Sequence, residues 1–236
     1  LNMVARPLTP PFADPRVPLG TDQLGRDLFA GLVHGARVSV AVGAIAAAAA
    51  IGVGIVVGTA AGFVGGRADE ALMRVTEAFQ TIPTFLLALA LVSVLGASAA
   101  NVVLAIAISA WPPTARLVRA EVLRVRTLDY VDAARVSGRA PLAIAAWEVL
   151  PNALTPVVAL VGVTVGEAIL VESALAFLGL SDPNLVSWGG LVANGRAQLR
   201  TAPWLVILPG LAIAIAVLAV TLAGDALARR LGLTGR

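Results

Sequence analysis

The sequence predicts an all-α, polytopic membrane helical bundle, and three observations carry that expectation. Hydrophobic residues make up 58% of the 236-residue chain and charged residues only 13%, with a mean hydropathy of +0.90, outside the range of ordinary soluble domains. The apolar residues gather into long uncharged runs such as Val38 to Gly66, long enough for a helix to cross a bilayer with some tilt. The seventeen basic residues are all arginines and cluster in particular segments, which is the pattern of membrane orientation rather than of a nucleic-acid-binding face.

Composition also excludes functions. With no cysteine there is no disulfide and no thiolate metal site. With no lysine there is no P-loop ammonium to set against the β- and γ-phosphates of ATP, so an ATP-driven role requires a separate ATPase chain. His34 is the only histidine; a lone imidazole at this position points to an interfacial helix rather than a metal site.

Taken in order, residues 1–19 hold Pro7, Pro10, Pro11, Pro15 and Pro18, which fix φ and remove donors. An extended surface segment is expected there, too short in apolar content for a signal peptide or a span. Asp22 is a candidate cap for a helix carrying Leu24, Leu28, Phe29 and Leu32 at helical spacing, lying at the interface. The first span runs from Val38 to Gly66. Its Gly54, Gly58, Gly62 and Gly66 form one stripe on which another helix can pack closely. After a turn at Gly65 to Asp69, Arg74 and Glu77 stand three apart and can pair.

A second span is expected from about Ala78 to Leu95, kinked at Pro83, and a third from Val102 to about Val118, with Trp111, Pro112 and Pro113 near its end. The fourth lies within Ala153 to Gly179 and the fifth from Leu205 to Gly224. Trp188 and Trp204, in the Ser181 to Trp204 loop, are candidate interfacial anchors.

Between the third and fourth spans, residues 116–152 form the longest polar interval, with six arginines. Asp129 to Val136 reads as a short amphipathic helix with acids in its first turn, where they meet the positive end of the helix dipole. Gly138 permits a positive φ that ends it. Pro141 suits the start of a second helix, which Pro151 is expected to stop. The product is a compact helix-turn-helix outside the bilayer.

Asp132-Ala133-Ala134, three residues, Gly138, then Leu150-Pro151 resembles the EAA loop of importer-type ABC permeases. Gly20-Thr21-Asp22, two residues, Gly25-Arg26-Asp27, together with Ser187-Trp188-Gly189, Asn194-Gly195-Arg196 and Ala202-Pro203-Trp204, resembles the dipeptide, oligopeptide and nickel branch of that family. The resemblance runs from about Gly20 to Arg230. It implies an importer-type ABC transmembrane domain over 20–230 with its coupling loop at 116–152, preceded by an extracytoplasmic segment at 1–19 and followed by a tail at 231–236. Five spans are visible. The chain begins with Leu1, and the family has one more span upstream, so a missing first span is expected.

The resemblance further implies a multi-pass subunit of the bacterial plasma membrane. Its partners would be a second permease subunit, two ATP-binding subunits or domains and an extracytoplasmic solute-binding protein, with no cofactor of its own. Asp132, Ala133, Ala134, Gly138, Leu150 and Pro151 would shape the contact with the ATPase. Glu148 stands where the family often has an apolar residue or histidine. Peptides are the commonest cargo of the branch, while nickel, glutathione and other solutes are carried by close relatives.

Glu167 and Glu172 lie at bilayer depth, where an ionisable group faces the bundle interior or water and is a candidate for the translocation path. Five residues advance a helix by about 500°, leaving the two roughly 140° apart. Glu172 fits the family's glutamate before the apolar run Ala174 to Gly179, and a hydrogen bond to a neighbouring helix is the competing role. The same two acids support an alternative, a proton-coupled secondary transporter, although no inverted repeat is visible. An intramembrane protease is excluded by motif: no Gly-x-Ser-Gly precedes a later-span histidine, and Gly224-Asp225 lacks the first glycine of Gly-x-Gly-Asp. Eleven of the seventeen arginines fall on the side of the 116–152 loop, which makes that side cytoplasmic.

Overall fold

A computed structural model describes residues 2–231; residues 232–236, most of the expected tail, lie outside the described residues. Among the described residues the α-helices are α1 (Leu28–Val64), α2 (Gly66–Gln80), α3 (Thr84–Leu95), α4 (Ala99–Ala110), α5 (Pro112–Val125), α6 (Asp129–Val136), α7 (Pro141–Ile144), α8 (Leu150–Ala153), α9 (Val157–Phe177), α10 (Trp188–Gly195) and α11 (Trp204–Arg230). Among the described residues α1, α9 and α11 are each long and apolar enough to cross a membrane, and five spans result if each of two bent pairs counts as one.

The bent pairs correct the expected second and third spans. Pro83 does not merely kink a helix: α2 ends at Gln80 and α3 leaves at 85°, because Ile82 precedes a proline and is pushed out of helical conformation. The third span starts earlier than expected, at Ala99, and bends by 44° at Trp111 before running on to Val125. Arg116, Arg119 and Arg124 are therefore helical rather than part of a loop. Trp111 is buried, edge-on to Phe79 with ring centroids 5.4 Å apart. Gly65 has φ of +72° and turns the chain directly into α2, so Arg67 to Asp69 are helical as well.

Contacts divide the chain into two units. The first comprises Leu1–Ala46, Ala88–Ala105 and Gly166–Ala219. Its N-terminal segment is folded rather than extended. Val4 N–H donates to Gly25 O, Leu8 N–H to Asp22 O and Thr21 N–H to Thr9 O. Gly20 and Gly25 allow this closeness, since a Cβ on either would stand 2.4 and 2.3 Å from the carbonyl oxygens of Thr9 and Ala5. Asp22 closes its own turn, its Oδ1 accepting from Leu24 N–H and Arg26 N–H. The helix cap is Asp27, whose carboxylate accepts from Phe29 N–H and Ala30 N–H. Residues 28–34 are thus the first turns of α1, not a separate interfacial helix. His34 Nδ1 lies 2.8 Å from Ala30 O.

The second unit comprises Ala47–Leu87, Ile106–Val165 and Val220–Arg236. The glycine stripe works as expected at three of its four positions: Gly54, Gly58 and Gly62 sit directly against Thr114, Ala115, Val118 and Val122 of α5. Gly66 instead begins α2 with nothing opposite it. Arg119 makes a two-pronged bond to Asp69, its Nη2 2.6 Å from Oδ2. Among the described residues Arg74 and Glu77 make no ion pair.

Candidate functional site

The polar interval after α5 folds into a knob of three short helices. Leu128 takes up an extended conformation and α6 begins at Asp129, with Asp129 and Asp132 in its first turn. It ends at Ser137, and Gly138 reverses the chain at φ +78°. Pro141 opens α7. The second half departs from expectation at Pro151, which does not stop the helix. The turn Ala145–Val149 widens to π-helical bonding and α8 resumes with Pro151 in its first turn. A π-turn adds one residue to the helix, and here it shifts the ladder so that the missing proline N–H falls where a donor is not needed.

The knob is rooted in a dry core. Val118, Val122 and Val125 of α5 pack with Val131, Ile144, Val149, Ala153 and Val157, and Ile51, Ile55 and Phe63 of α1 close the cluster. Each fully buried aliphatic side chain contributes about 1.5 to 3 kcal/mol, so the knob is one rigid extension of α1 and α5. Polar ties reinforce it. Arg126 Nη1 donates to Gly62 O at 2.7 Å, satisfying a carbonyl at the end of α1. Arg135 bridges Asp132 at 2.7 Å and Arg126 O at 3.3 Å. Arg139 pairs with Glu148, and Tyr130 OH and Asn152 Nδ2 both donate to Glu148 O. Glu148 therefore braces the two halves of the knob internally.

Of the six residues expected to shape a contact, Asp132, Ala133, Gly138 and Pro151 are exposed, whereas Ala134 and Leu150 are partly covered and Ala134 packs on the valine core. Sequence reading missed three exposed apolar side chains of the knob. Val136 is 90% exposed, Leu142 83% and Trp147 75%. The available signal was that these three fall outside the positions occupied by Val131, Ile144 and Val149 on the buried face.

In the first unit, Glu172 is 2% exposed and enclosed by serine hydroxyls. Ser39 of α1, Ser187 at the start of α10 and Ser173 donate to its carboxylate. Trp188 N–H in turn donates to Ser39 Oγ, and Trp188 Nε1 to Leu32 O. Ser187 Oγ caps α10 by accepting from Gly190 N–H. Gly189 lies so close to Ser173 that a Cβ would stand 2.2 Å from its carbonyl oxygen. Trp188 is thus a buried tie rather than an interfacial anchor. Glu167 points the other way and is exposed, so the structure does not bring the two acids together. No group of three or more metal-ligating side chains gathers among the described residues.

A family profile described as binding-protein-dependent transport system inner membrane component matches residues 54–233. The chain belongs to that family. Among relatives of this inner membrane component, the di/tripeptide transport system permease protein DppC of Pseudomonas aeruginosa strain UCBPP-PA14 is 41% identical over 225 residues. The match covers 93% of this chain and 74% of the relative. The glutathione transport system permease protein GsiD of Pectobacterium atrosepticum is 37% identical over 210 residues, covering 89% and 70%. A chain of the MetNI methionine ABC transporter, solved in inward-facing conformations, superposes with a TM-score of 0.72 over 86% of this chain and 97% of that one. At 18% identity it shares the fold. As an inner membrane component of this family, the protein is a membrane-spanning transport subunit, a permease of the ABC importer type.

Proposed function

We propose that this permease carries peptides, or a related small solute, across the bacterial plasma membrane. Its cargo would be handed over by an extracytoplasmic binding protein, and its energy would come from a separate ATPase that grips the 132–151 knob. Names among the relatives support the cargo class, since the chain is 41% identical to a di/tripeptide permease and 37% identical to a glutathione permease. The absence of lysine supports a separate ATPase. A second permease subunit, two ATP-binding subunits or domains and the binding protein complete the assembly on this reading.

The observation that carries the coupling role is a rigid extension with an exposed apolar tip. The valine core makes α5, α6, α7 and α8 move together, while Val136, Leu142 and Trp147 offer an aromatic and aliphatic anchor surface of the kind that dominates binding energy when it fills a partner's cleft. ATP-driven closure of the ATPase pair would then displace the spans that root the knob. Asp132, Ala133, Ala134, Gly138, Leu150 and Pro151 give the knob its shape, and its basic face agrees with a cytoplasmic location. On this reading residues 1–19 lie outside and 20–230 form the transmembrane domain. Glu172, enclosed by three serines, acts by holding α1, α9 and α10 together beside the path. Glu167 is left to face a neighbouring helix or lipid.

Reconstitution tests the reading. Proteoliposomes holding the complete complex, with receptor outside and ATP inside, are expected to accumulate labelled peptide only when both ATP and receptor are present. Uptake driven by a proton gradient with no ATPase subunit would replace this account with the secondary transporter.

A further inference from the structure

Two adjoining cavities flank Arg26 in the first unit, of about 140 and 190 Å³. Both are lined by Asp22, Arg26, Leu28, Leu191 and Asn194, so they form one groove with Arg26 on its divide. A water molecule occupies about 30 Å³ of liquid, and the groove therefore has room for several waters or for a small polar group with an apolar neighbour. Its walls are apolar on both sides, with Leu185 and Val186 in one cavity and Leu24 and Leu205 in the other.

The polar groups within it are not equally free. Asp22 is saturated: Oδ1 accepts from Leu24 N–H and Arg26 N–H, and Oδ2 accepts from Arg26 Nε at 2.6 Å. Asp27 is used at the start of α1, accepting from Phe29 N–H and Ala30 N–H. Arg26 spends only Nε on Asp22, and among the described residues its two terminal nitrogens have no hydrogen-bond partner. Asn194, which lines both cavities, lends its backbone oxygen to Gln23 Nε2, and among the described residues its carboxamide has no hydrogen-bond partner. The groove walls are held in register by that tie and by the bond from Gln23 to Gln198.

What remains open toward the groove is a planar fork of donors beside a carboxamide, in a partly desolvated setting. A guanidinium fork matches the two oxygens of a carboxylate, and a neighbouring carboxamide N–H can add a third donor. We infer that the groove around Arg26 and Asn194 receives a carboxylate, presented either by the peptide as it enters or by an acidic side chain of the docked binding protein. Both arms rest on the function proposed above, the peptide arm on its cargo class and the docking arm only on its extracytoplasmic binding protein.

The test uses the complete transporter in nanodiscs and its binding protein, with assembly of each variant checked by size-exclusion chromatography. Arg26→Gln removes the fork. Asn194→Asp keeps the backbone oxygen that holds Gln23 and sets a resident carboxylate against Arg26, so it blocks the groove without loosening its walls. Loss of a charge-assisted hydrogen bond weakens binding by about ten- to a hundredfold. If the binding protein supplies the carboxylate, docking of the unloaded protein weakens by that factor in both variants. If the peptide supplies it, unloaded docking is unchanged and the KM for uptake of labelled trialanine rises by that factor. Unchanged docking together with unchanged uptake, or with no trialanine uptake in any form including wild type, overturns the site. Failure of wild-type uptake alone counts against the peptide reading and leaves the docking result to decide this one.

Discussion

Gly138 shows how much a single residue sets. Its φ of +78° is one that side chains other than glycine seldom adopt, yet a Cβ there would meet nothing within 4 Å. Gly138→Ala therefore costs only backbone strain, about 1 kcal/mol, and is expected to leave uptake near wild type. Gly138→Pro cannot adopt the angle and loses the bond from Gly138 N–H to Arg135 O, so α6 and α7 no longer meet correctly. The expected outcome is ATP hydrolysis that persists while receptor-dependent uptake falls at least tenfold, with membrane insertion intact. Trp147 is the second test at this scale. Its side chain is 75% exposed and supports no core, so Trp147→Ala should leave the thermal unfolding of the permease unchanged while weakening its hold on the ATPase by tens of fold, as truncation of an aromatic anchor does. Copurification at increasing salt and detergent measures this.

Glu172 belongs to the same scale with a different sign. Glu172→Gln keeps an acceptor and adds a donor among the three serines, and is expected to fold and transport. Glu172→Ala leaves buried hydroxyls of Ser39 and Ser187 without their acceptor, at roughly 1 to 3 kcal/mol for each orphaned group. A lowered melting temperature in detergent for the alanine variant but not the glutamine variant is the expected pattern; equal melting of both would make the hydroxyl cage irrelevant.

Among the elements, the π-turn at Ala145–Val149 is the one whose register matters most. The wide turn already absorbs one extra residue, so inserting a further alanine after the exposed Ala146 removes no buried contact yet rotates α7 by about 100° against α8. Ile144 and Val149 would then no longer face the same valines. The insertion is expected to abolish coupling, and hydrogen exchange over 129–153 should rise. Ile144→Ala, which leaves the register alone, should cost about 2 to 5 kcal/mol and loosen the knob less completely.

These elements also show what a reader of the sequence can and cannot see. Asp129, Asp132, Gly138 and Pro141 announce the start and end of α6 and the start of α7, because caps, dipole preferences and positive φ are local properties. Pro151 misleads, since its effect depends on a π-turn four residues earlier that no local preference signals. Pro83 and the pair Pro112-Pro113 indicate that a helix is disturbed but not by how much; 85° and 44° are set by what the following helices pack against. The hydroxyl cage was invisible because Ser39 and Ser187 lie 148 positions apart in the chain and neither stands in a motif with Glu172. The exposed apolar tip escaped notice for a related reason: Val136, Leu142 and Trp147 look like core residues until the true core is assigned to their neighbours.

For the whole molecule, hydropathy already contained the membrane-spanning class and its long apolar helices, since these follow from transfer into a bilayer rather than from tertiary detail, and arginine placement proposes which side faces the cytoplasm. Membership in the inner membrane component family agrees with a membrane-spanning chain. The central claim is that the knob on the arginine-rich face is held by a nucleotide-hydrolysing partner. A photoreactive benzoylphenylalanine in place of Trp147, irradiated in membranes containing the assembled transporter, tests that contact most directly. The account predicts a covalent adduct with the ATPase subunit. An adduct with the extracytoplasmic binding protein, or full uptake by a complex that contains no ATPase, would contradict it.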